Sequence, residues 1–562
     1  MKCFFIILLA ITAVACGTKD NRKEKISGLI AESAMVVSAH PIASQVGLDI
    51  LKKGGNAIDA AIATQFALAV VYPVAGNIGG GGFMLLLLAS DSIAALDYRE
   101  KAPAAATPTM YIGEAGELVE GLSTEGHLAS GIPGTVAGLV EAHAKFSKLP
   151  WKDLVQPAID LARNGFQLTK KEASGLNEIQ KDLVRLNTVS PDFLLKEEWK
   201  EGDIIHWLDL ANTLERIRDN GKAGFYEGKT ADDLVSEMTR GKGIITDDDL
   251  KNYQAVWRKP ITGFYKGYKI ISMPPPSSGG VALMQLLKSV EPFPISEWGW
   301  NSTKTTHLLT EAERRVYADR AAHLGDPDFF DVPVDMLMDS VYTTSRMKTF
   351  DMNKATSSAS IKEGSLTGES DQTTHLSVVD KEGNAVSVTT TLNGGYGSTV
   401  IVDGSGFFMN NEMDDFSAKP GTPNMYGVIG GEANKILPHK RMLSSMTPTI
   451  VEQDGKLLMV VGTPGGSTII TSVFQTILNV LEHNMTMQEA VTAKRVHSQW
   501  FPDMIYQEIN AITEEDSLSL VKLGHTFMSR RGIGRVDAIL IRKDGKLEAG
   551  ADPRGDDTAA GY

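Results

Sequence analysis

The chain has 562 residues, 42% of them hydrophobic and 22% charged, with a formal net charge of −14. That length buries a large core without disulfides, and the composition is that of a globular protein. The acidic balance, with no long Lys/Arg run, excludes a phosphate-neutralising surface, so no nucleic-acid partner is expected.

Residues 1–15, "MKCFFIILLAITAVA", carry Lys2, an apolar stretch and then small residues, the layout of a secretory signal peptide. Cys16 follows Ala13-Val14-Ala15, as in a bacterial lipobox. Cleavage before Cys16 and its lipidation are expected, with residues 16–30 as lipidated start and polar tether. Cys3 and Cys16 are the only cysteines, so the exported body has no disulfide. The expectation is an exported protein, periplasmic or on the cell surface, anchored to a membrane through Cys16.

The apolar segment within 54–90 is interrupted by Asp59, Gln65, Pro73 and glycines. It reads as a buried helix followed by a buried strand, not a membrane span. The Gly79–Gly82 run permits close backbone approach and unusual dihedrals, and lacks the GxxxxGK[ST] pattern of a phosphate cradle. Residues 130–350 read as mainly helical. "GFYEGKT" (224–230) reads as a turn before a helix, "PPPSSGGVALMQLL" (274–287) as a loop feeding a helix, and "EAERRVYADRAAHLGDPDFF" as a helix stopping at Gly325-Asp326-Pro327. Residues 352–372 are small, polar and aperiodic, and read as an exposed, mobile segment. Strands follow in "THLSVVD", "AVSVTTTL", "TIVEQDGKLLMVVGTP" and "RVDAILIRKDGKLEAGA", with helices in "ITSVFQTILNVLEH" and "MTMQEAVTAKR". This mixture predicts sheet packed against outer helices.

The first hairpin holds two threonine clusters, Thr373-Thr374 and Thr389-Thr390-Thr391. If Lys381–Asn384 form the turn, Thr374 opposes Thr391. A one-residue change of register puts Thr391 opposite Thr373. Either way the clusters lie within about 5 to 8 Å of each other. Three more stretches bear on chemistry. "RMLSSMTPTI" sets Ser444-Ser445 before a strand. "VVGTPGGSTII" runs from a strand through Pro464-Gly465-Gly466 into a helix start, where backbone N–H groups suit a developing oxyanion. "NNEMDDFSAKP" supplies Glu412, Asp414 and Asp415, suited to an ammonium group. Each has a structural alternative: strand threonines, cap serines, a tight turn, a solvated acidic loop.

Together "QTTHLSVVD", "NNEMDDFSAKPG", "LSSMTPTI" and "GTPGGS" resemble the gamma-glutamyltransferase family of N-terminal-nucleophile hydrolases, and the resemblance spans the exported chain. It implies a four-layer αββα sandwich built from both products of a self-cleavage between Gln372 and Thr373: a large subunit, 31–372, and a small one, 373–562, held as a heterodimer. Thr373 would be the nucleophile and its freed amine the general base. Thr391 would hydrogen-bond the Thr373 hydroxyl, and Gly465 and Gly466 would form the oxyanion hole. Arg99, Ser444 and Ser445 would hold the α-carboxylate of a γ-glutamyl group, with Asn393, Glu412 and Asp415 on its α-ammonium. Tyr426, in the stretch 421–441, would cover the pocket as a lid aromatic. Donors would be glutathione and other γ-glutamyl compounds, and acceptors water or amino acids and peptides. Gly394-Gly395 replace bulkier residues expected from the family, a departure that touches the acceptor side.

No cofactor or metal is implied: the eleven histidines are scattered, without HExxH. There is no GxSxG elbow, and His375 reads as structural. The alternatives are a related Thr-nucleophile acylase, a poly-γ-glutamate transferase, and a surface lipoprotein that only binds peptides.

Overall fold

The computed structural model describes residues 25–361, 373–419, 424–425 and 430–562. Cys16, Gln372 and Tyr426 lie outside those residues, as does the presumed signal segment.

Two seven-stranded antiparallel sheets stack at the centre. The first runs Thr558–Gly561, Met35–Ser38, Thr374–Val379, Ala385–Thr391, Gly81–Leu87, Ile93–Asp97, Val256–Arg258. The second runs Ile30–Ala31, Leu547–Gly550, Asp537–Ile541, Lys456–Gly462, Thr449–Gln453, Tyr268–Ser272, Ile261–Tyr265. In both, strands from before residue 372 and from after it are interleaved. Alternation explains why the central strands are buried at every position. In the first sheet Val37, Phe83 and Leu85 point at the second sheet, where they meet Ile271, Ile450, Val460 and Ile539. Their neighbours Val36, Met84 and Leu86 pack the other way, onto helices.

Helices cover both outer faces, completing the expected αββα order. Pro41–Lys52 and Ala57–Val71 lie on the first sheet, and Gly279–Val290, Thr303–His323 and Thr468–Leu481 on the second. Ala57–Val71 is buried all round, so its end groups need internal partners. Asn56 Oδ1 accepts from the Ile58 and Asp59 N–H groups at 3.0 Å each, and Asp59 returns a bond to the Asn56 N–H at 2.9 Å. Among the described residues no helix is long and apolar enough to cross a membrane.

The stretch 130–350 is mainly helical, as expected, and also contains the strands Val256–Arg258, Ile261–Tyr265 and Tyr268–Ser272. Its polar alternation and short length hide them, since two are edge strands with one face toward solvent. Within 352–361, Ser358 and Ile361 are buried, so this part of the predicted exposed segment packs on the body. The hairpin closes over Lys381–Gly383, with Gly383 at φ 89°. Asp380 Oδ1 accepts from the Glu382 and Asn384 N–H groups at 3.0 and 2.9 Å. Thr374 therefore pairs with Thr390 and Val379 with Ala385. The alternative register holds, and it brings Thr373 across from Thr391.

Candidate active site

Thr373 stands at the start of a central strand of the first sheet. Its Oγ1 is 3.3 Å from Thr391 Oγ1. Thr391 Oγ1 also accepts the Asn393 N–H at 2.7 Å, and either hydroxyl of the threonine pair can donate to the other. Asn77 fixes the end of the Thr391 strand: its Nδ2 donates to the Thr391 carbonyl at 2.9 Å, and its Oδ1 accepts from Gly80 N and Thr135 Oγ1. The glycine run makes this possible. A Cβ on Gly80 would sit 2.1 Å from the Thr391 carbonyl oxygen, and one on Gly82 would sit 2.6 Å from that of Thr389. The expected close approach is present. The expected unusual dihedrals are not: none of Gly79 to Gly82 has positive φ.

Gly465 and Gly466 precede the helix Thr468–Leu481, with φ of 137° and 53°. Both angles favour glycine, and a helix N-terminus favours negative charge. Gly466 and Thr373 line the same pocket, which encloses about 500 Å³ of space between atoms, part of it open to solvent.

The pocket wall carries the charged residues picked out from the sequence. Arg99 is fully buried, not at the surface. Its Nη1 donates to Glu412 Oε1 and its Nη2 to Asp415 Oδ2, with Glu100 3.4 Å away. Burial opposes the guanidinium charge, but Glu412, Asp415 and Glu100 outweigh it. Burial lifts Glu412 well above the usual carboxylate range and raises Asp415 too, Arg99 pulling against both. Burial pushes Glu100 up to about 7, again against Arg99. Glu412 is buried next to the Glu100 carboxyl, with which it shares a hydrogen bond.

Ser444 and Ser445 line the pocket as well. The Ser444 N–H donates to the Pro276 carbonyl at 2.9 Å, and its carbonyl accepts from the Ser278 N–H at 2.7 Å. The triple-proline loop thus holds the serine strap from behind. Ser445 Oγ accepts from Arg320 Nη2 at 3.0 Å. Arg320 is a pocket residue that sequence reasoning missed. Its position on Thr303–His323, on a face that meets the strap, could not be read from local pattern. Asn393, at φ 72°, lines the pocket and donates from Nδ2 to the Asn411 carbonyl at 3.0 Å.

Asp414 turns away from this group. Its carboxylate accepts from Ser123 Oγ at 2.6 Å and from the Met425 N–H at 2.7 Å. Burial pushes it up to about 7, those hydrogen bonds opposing. Asn424 Nδ2 donates to Asp415 Oδ1 at 3.1 Å, so the described part of the supposed lid is tied to the acidic loop.

His375 is fully buried beneath the site, its ring nitrogens 2.9 Å from Thr389 Oγ1 and 3.1 Å from Ser377 Oγ. Burial pushes it down to about 3, so the ring is neutral at physiological pH. His307, Glu311 and His525 also come together, within 4.8 Å. Glu311 there already accepts from Arg314 and Arg315 at 2.8 and 2.7 Å, and two guanidinium groups oppose a cation.

Residues 43–562 match the family model described as Gamma-glutamyltranspeptidase. The chain is 45% identical over 537 residues to the glutathione hydrolase proenzyme of Escherichia coli (strain K12), covering 95% of this chain and 92% of that protein. The fold is similar to a cephalosporin acylase from Bacillus halodurans, with TM-score 0.85 and 26% identity over 98% of this chain and 99% of that one. It is also similar to a gamma-glutamyltranspeptidase chain from Helicobacter pylori, with TM-score 0.57 and 42% identity over 61% of this chain and 97% of that one.

Proposed function

The chain belongs to the gamma-glutamyltranspeptidase family, and from that premise we propose that it is a glutathione hydrolase and γ-glutamyltransferase with Thr373 as nucleophile. One observation carries the site assignment: Thr373 lines a pocket whose wall holds a buried arginine bound by two carboxylates.

The chain cuts itself between Gln372 and Thr373, giving a large subunit, 31–372, that keeps the 16–30 tether, and a small subunit, 373–562. The new α-amine takes the proton of the Thr373 hydroxyl as Oγ1 attacks the γ-carbonyl of the donor. Thr391 holds that hydroxyl in line. The Gly465 and Gly466 N–H groups stabilise the oxyanion of the tetrahedral intermediate. The C–N bond to the leaving amine breaks, that amine takes the proton, and a Thr373 ester remains. Water or an incoming amine then attacks the ester, and the proton returns to Oγ1. Arg99 offers a planar fork to the α-carboxylate, supported by Ser444 and Ser445. Glu412, with Asp415 and Asn393, faces the α-ammonium. No cofactor takes part. The acylase alternative shares the nucleophile, and the similarity to a cephalosporin acylase fits it. The paired charges favour a glutamyl head.

Purified protein should run as two polypeptides, the smaller starting at Thr373, and should release glutamate from glutathione, faster with glycylglycine present. Thr373→Ala should remain one inactive chain. Cleavage of the alanine variant at the same bond would assign the cut to an external protease. Glutathione left intact by the processed protein would sink the substrate assignment.

Residues 1–15 act as an export signal in this reading, and Cys16 carries the lipid that holds the enzyme at a membrane. Cys16→Ser should move the activity into the soluble fraction. Equal membrane retention of both forms would count against the anchor.

A further inference from the structure

The helix Thr303–His323 is buried at every position from Thr305 to Ala321, although that span contains "EAERRVYADR" (311–320). A buried charge is costly unless paired, so the partners of these side chains show what the helix holds. Glu311 pairs with Arg314 and Arg315 on the helix itself. Glu313, Tyr317 and Arg320, at i, i+4 and i+7, share another face. All three reach segments in the wall of the Thr373 pocket or directly behind it.

Tyr317 acts on the glycine turn. Its Oη donates to the carbonyl of Ser467, which follows Gly466 and lines the pocket. Its ring meets His497 edge-on, with centroids 5.7 Å apart, and His497 Nε2 lies 3.2 Å from Ser467 Oγ. Glu313 holds the same strip from behind, its Oε2 accepting the Ser498 N–H at 2.8 Å. The Gly465 and Gly466 carbonyls accept from the Thr468 and Ile469 N–H groups at 2.9 and 3.3 Å. A trans peptide sets its N–H opposite its carbonyl, so the Gly465 bond aims the Gly466 N–H away from the helix start. With the Ser467 carbonyl also tied, the turn resists the roll that would swing that N–H aside.

Arg320 acts on the other end of the pocket. Its Nη2 donates to Ser445 Oγ at 3.0 Å and its Nε to Ser278 Oγ at 2.9 Å, and Ser278 Oγ donates to the Ser444 carbonyl at 2.7 Å. One planar guanidinium therefore holds both strap serines, one directly and one through Ser278. Burial raises Asp415, and Arg99 and then Arg320 pull against it, so this charge is felt among the acids of the pocket wall. Tyr317 and Arg320 are one turn apart, about 4.5 Å along the helix axis. We propose that they are positioning residues for two separate parts of the reaction: Tyr317 holds the oxyanion turn, Arg320 holds the serine strap that takes the α-carboxylate, and the helix Thr303–His323 sets the distance between them. The inference rests on the acyl-transfer reading above.

The two contacts differ in when they act. An oxyanion exists only in the tetrahedral state, whereas the α-carboxylate is bound throughout. Three inhibitors of γ-glutamyl-p-nitroanilide hydrolysis separate them. L-Glutamate has the head group and forms no adduct. 2-Amino-4-boronobutanoic acid has the head group and a boron that bonds to Thr373 Oγ1, the hydroxyl proton passing to the α-amine, which gives a tetrahedral anion. 3-Aminopropylboronic acid forms the same adduct without the α-carboxylate. Tyr317→Phe should raise the Ki of both boronates by about three- to tenfold and leave that of glutamate unchanged. Arg320→Lys keeps the charge and loses the fork. It should raise the Ki of glutamate and of the amino-acid boronate by roughly tenfold and leave that of 3-aminopropylboronic acid unchanged. If Arg320→Lys does not accumulate, Ser278→Ala removes the Nε acceptor alone and carries the same expectation. A helix that only supports the fold would shift all three inhibitors together, and that result overturns the proposal, as does no shift in either variant. A wild type that neither hydrolyses the anilide nor binds the amino-acid boronate overturns the acyl-transfer reading, and this inference with it.

Discussion

Arg99 and Arg535 make a natural pair for comparison. Arg99 has three acidic side chains beside it, Glu412, Asp415 and Glu100, and Arg535 has two, Asp537 and Asp557; each arginine lines a cavity that contains Thr373. At Arg99, Glu412 and Asp415 bind the guanidinium directly and line the pocket. At Arg535, Asp557 pairs at 3.0 Å, while Asp537 and Asp557 line neither cavity. Burial and the neighbouring Asp557 hold Asp537 well above the carboxylate range, and burial lifts Asp557 to about 6. One proton between those two acids balances the cluster without any ligand. Arg535 then serves as a brace. Its Nη1 donates to Tyr72 Oη at 2.6 Å, and its backbone N–H donates to Thr463 Oγ1 at 2.7 Å, two residues before Gly465. Similar charges therefore do different work. What separates them is whether the acids that bind the arginine line a cavity.

The largest effect that would sharpen this contrast is expected at Arg99. Arg99→Ala strands two buried carboxyls and removes the carboxylate fork. Losing one partner of a buried charged pair costs about 2 to 5 kcal/mol, and Arg99 serves two acids. A fall in kcat/KM of roughly a thousandfold for a γ-glutamyl donor is expected. Arg99→Lys should recover only part of it, because an ammonium lacks the planar fork. Full recovery by lysine would mean that the pocket needs charge and not geometry. Self-cleavage should persist in both variants, since it uses no bound glutamyl head.

Asp415→Ala should have a smaller effect, roughly 30-fold or more in kcat/KM, because Glu412 still faces the ammonium. The control is a glutaryl amide, which lacks the α-amine. Wild type should handle it poorly, and Asp415→Ala should lose little further on it. Equal losses on both donors would make Asp415 a partner of Arg99 alone, and the two arginine clusters would then be alike in kind.

The parts of this site that were legible in the sequence are those carried by short-range chemistry. Pro464-Gly465-Gly466 before a helix, the acidic loop at 412–415 and the paired threonines each announce a local geometry that the chain then adopts. The hairpin register was not decided by pattern, because both registers pair threonine with threonine. Asp380 decided it, by closing the turn one residue sooner. Arg320 and Asn77 were illegible for another reason. Each acts on a segment far away in sequence, Arg320 on Ser445 and Asn77 on Thr391, and neither sits in a motif of its own. The division of labour within "EMDD" was also hidden: Asp414 and Asp415 are adjacent, yet a helical turn sends them to opposite sides.

The smallest effect concerns the brace, and it is read in stability. Asp557 is raised from the ordinary carboxylate range to about 6, burial being the main cause. A carboxyl with a raised native pKa contributes stability that is complete below about pH 4 and is lost as pH rises through about 6, because the native state then resists giving up its proton. Asparagine has the same shape, keeps a hydrogen-bonding group and does not titrate. The Tm of Asp557→Asn minus that of wild type should therefore climb as pH goes from about 4 to about 7. Both proteins share every other titrating group, so the difference isolates this one. Turnover of a γ-glutamyl donor should change little, as Asp557 lines neither cavity. A Tm difference that falls with pH would show Asp557 ionised and bound to Arg535 through that range. The Arg535 cluster would then be a plain ion pair, with the proton between Asp537 and Asp557 gone, and the distinction from Arg99 would rest on the cavity alone.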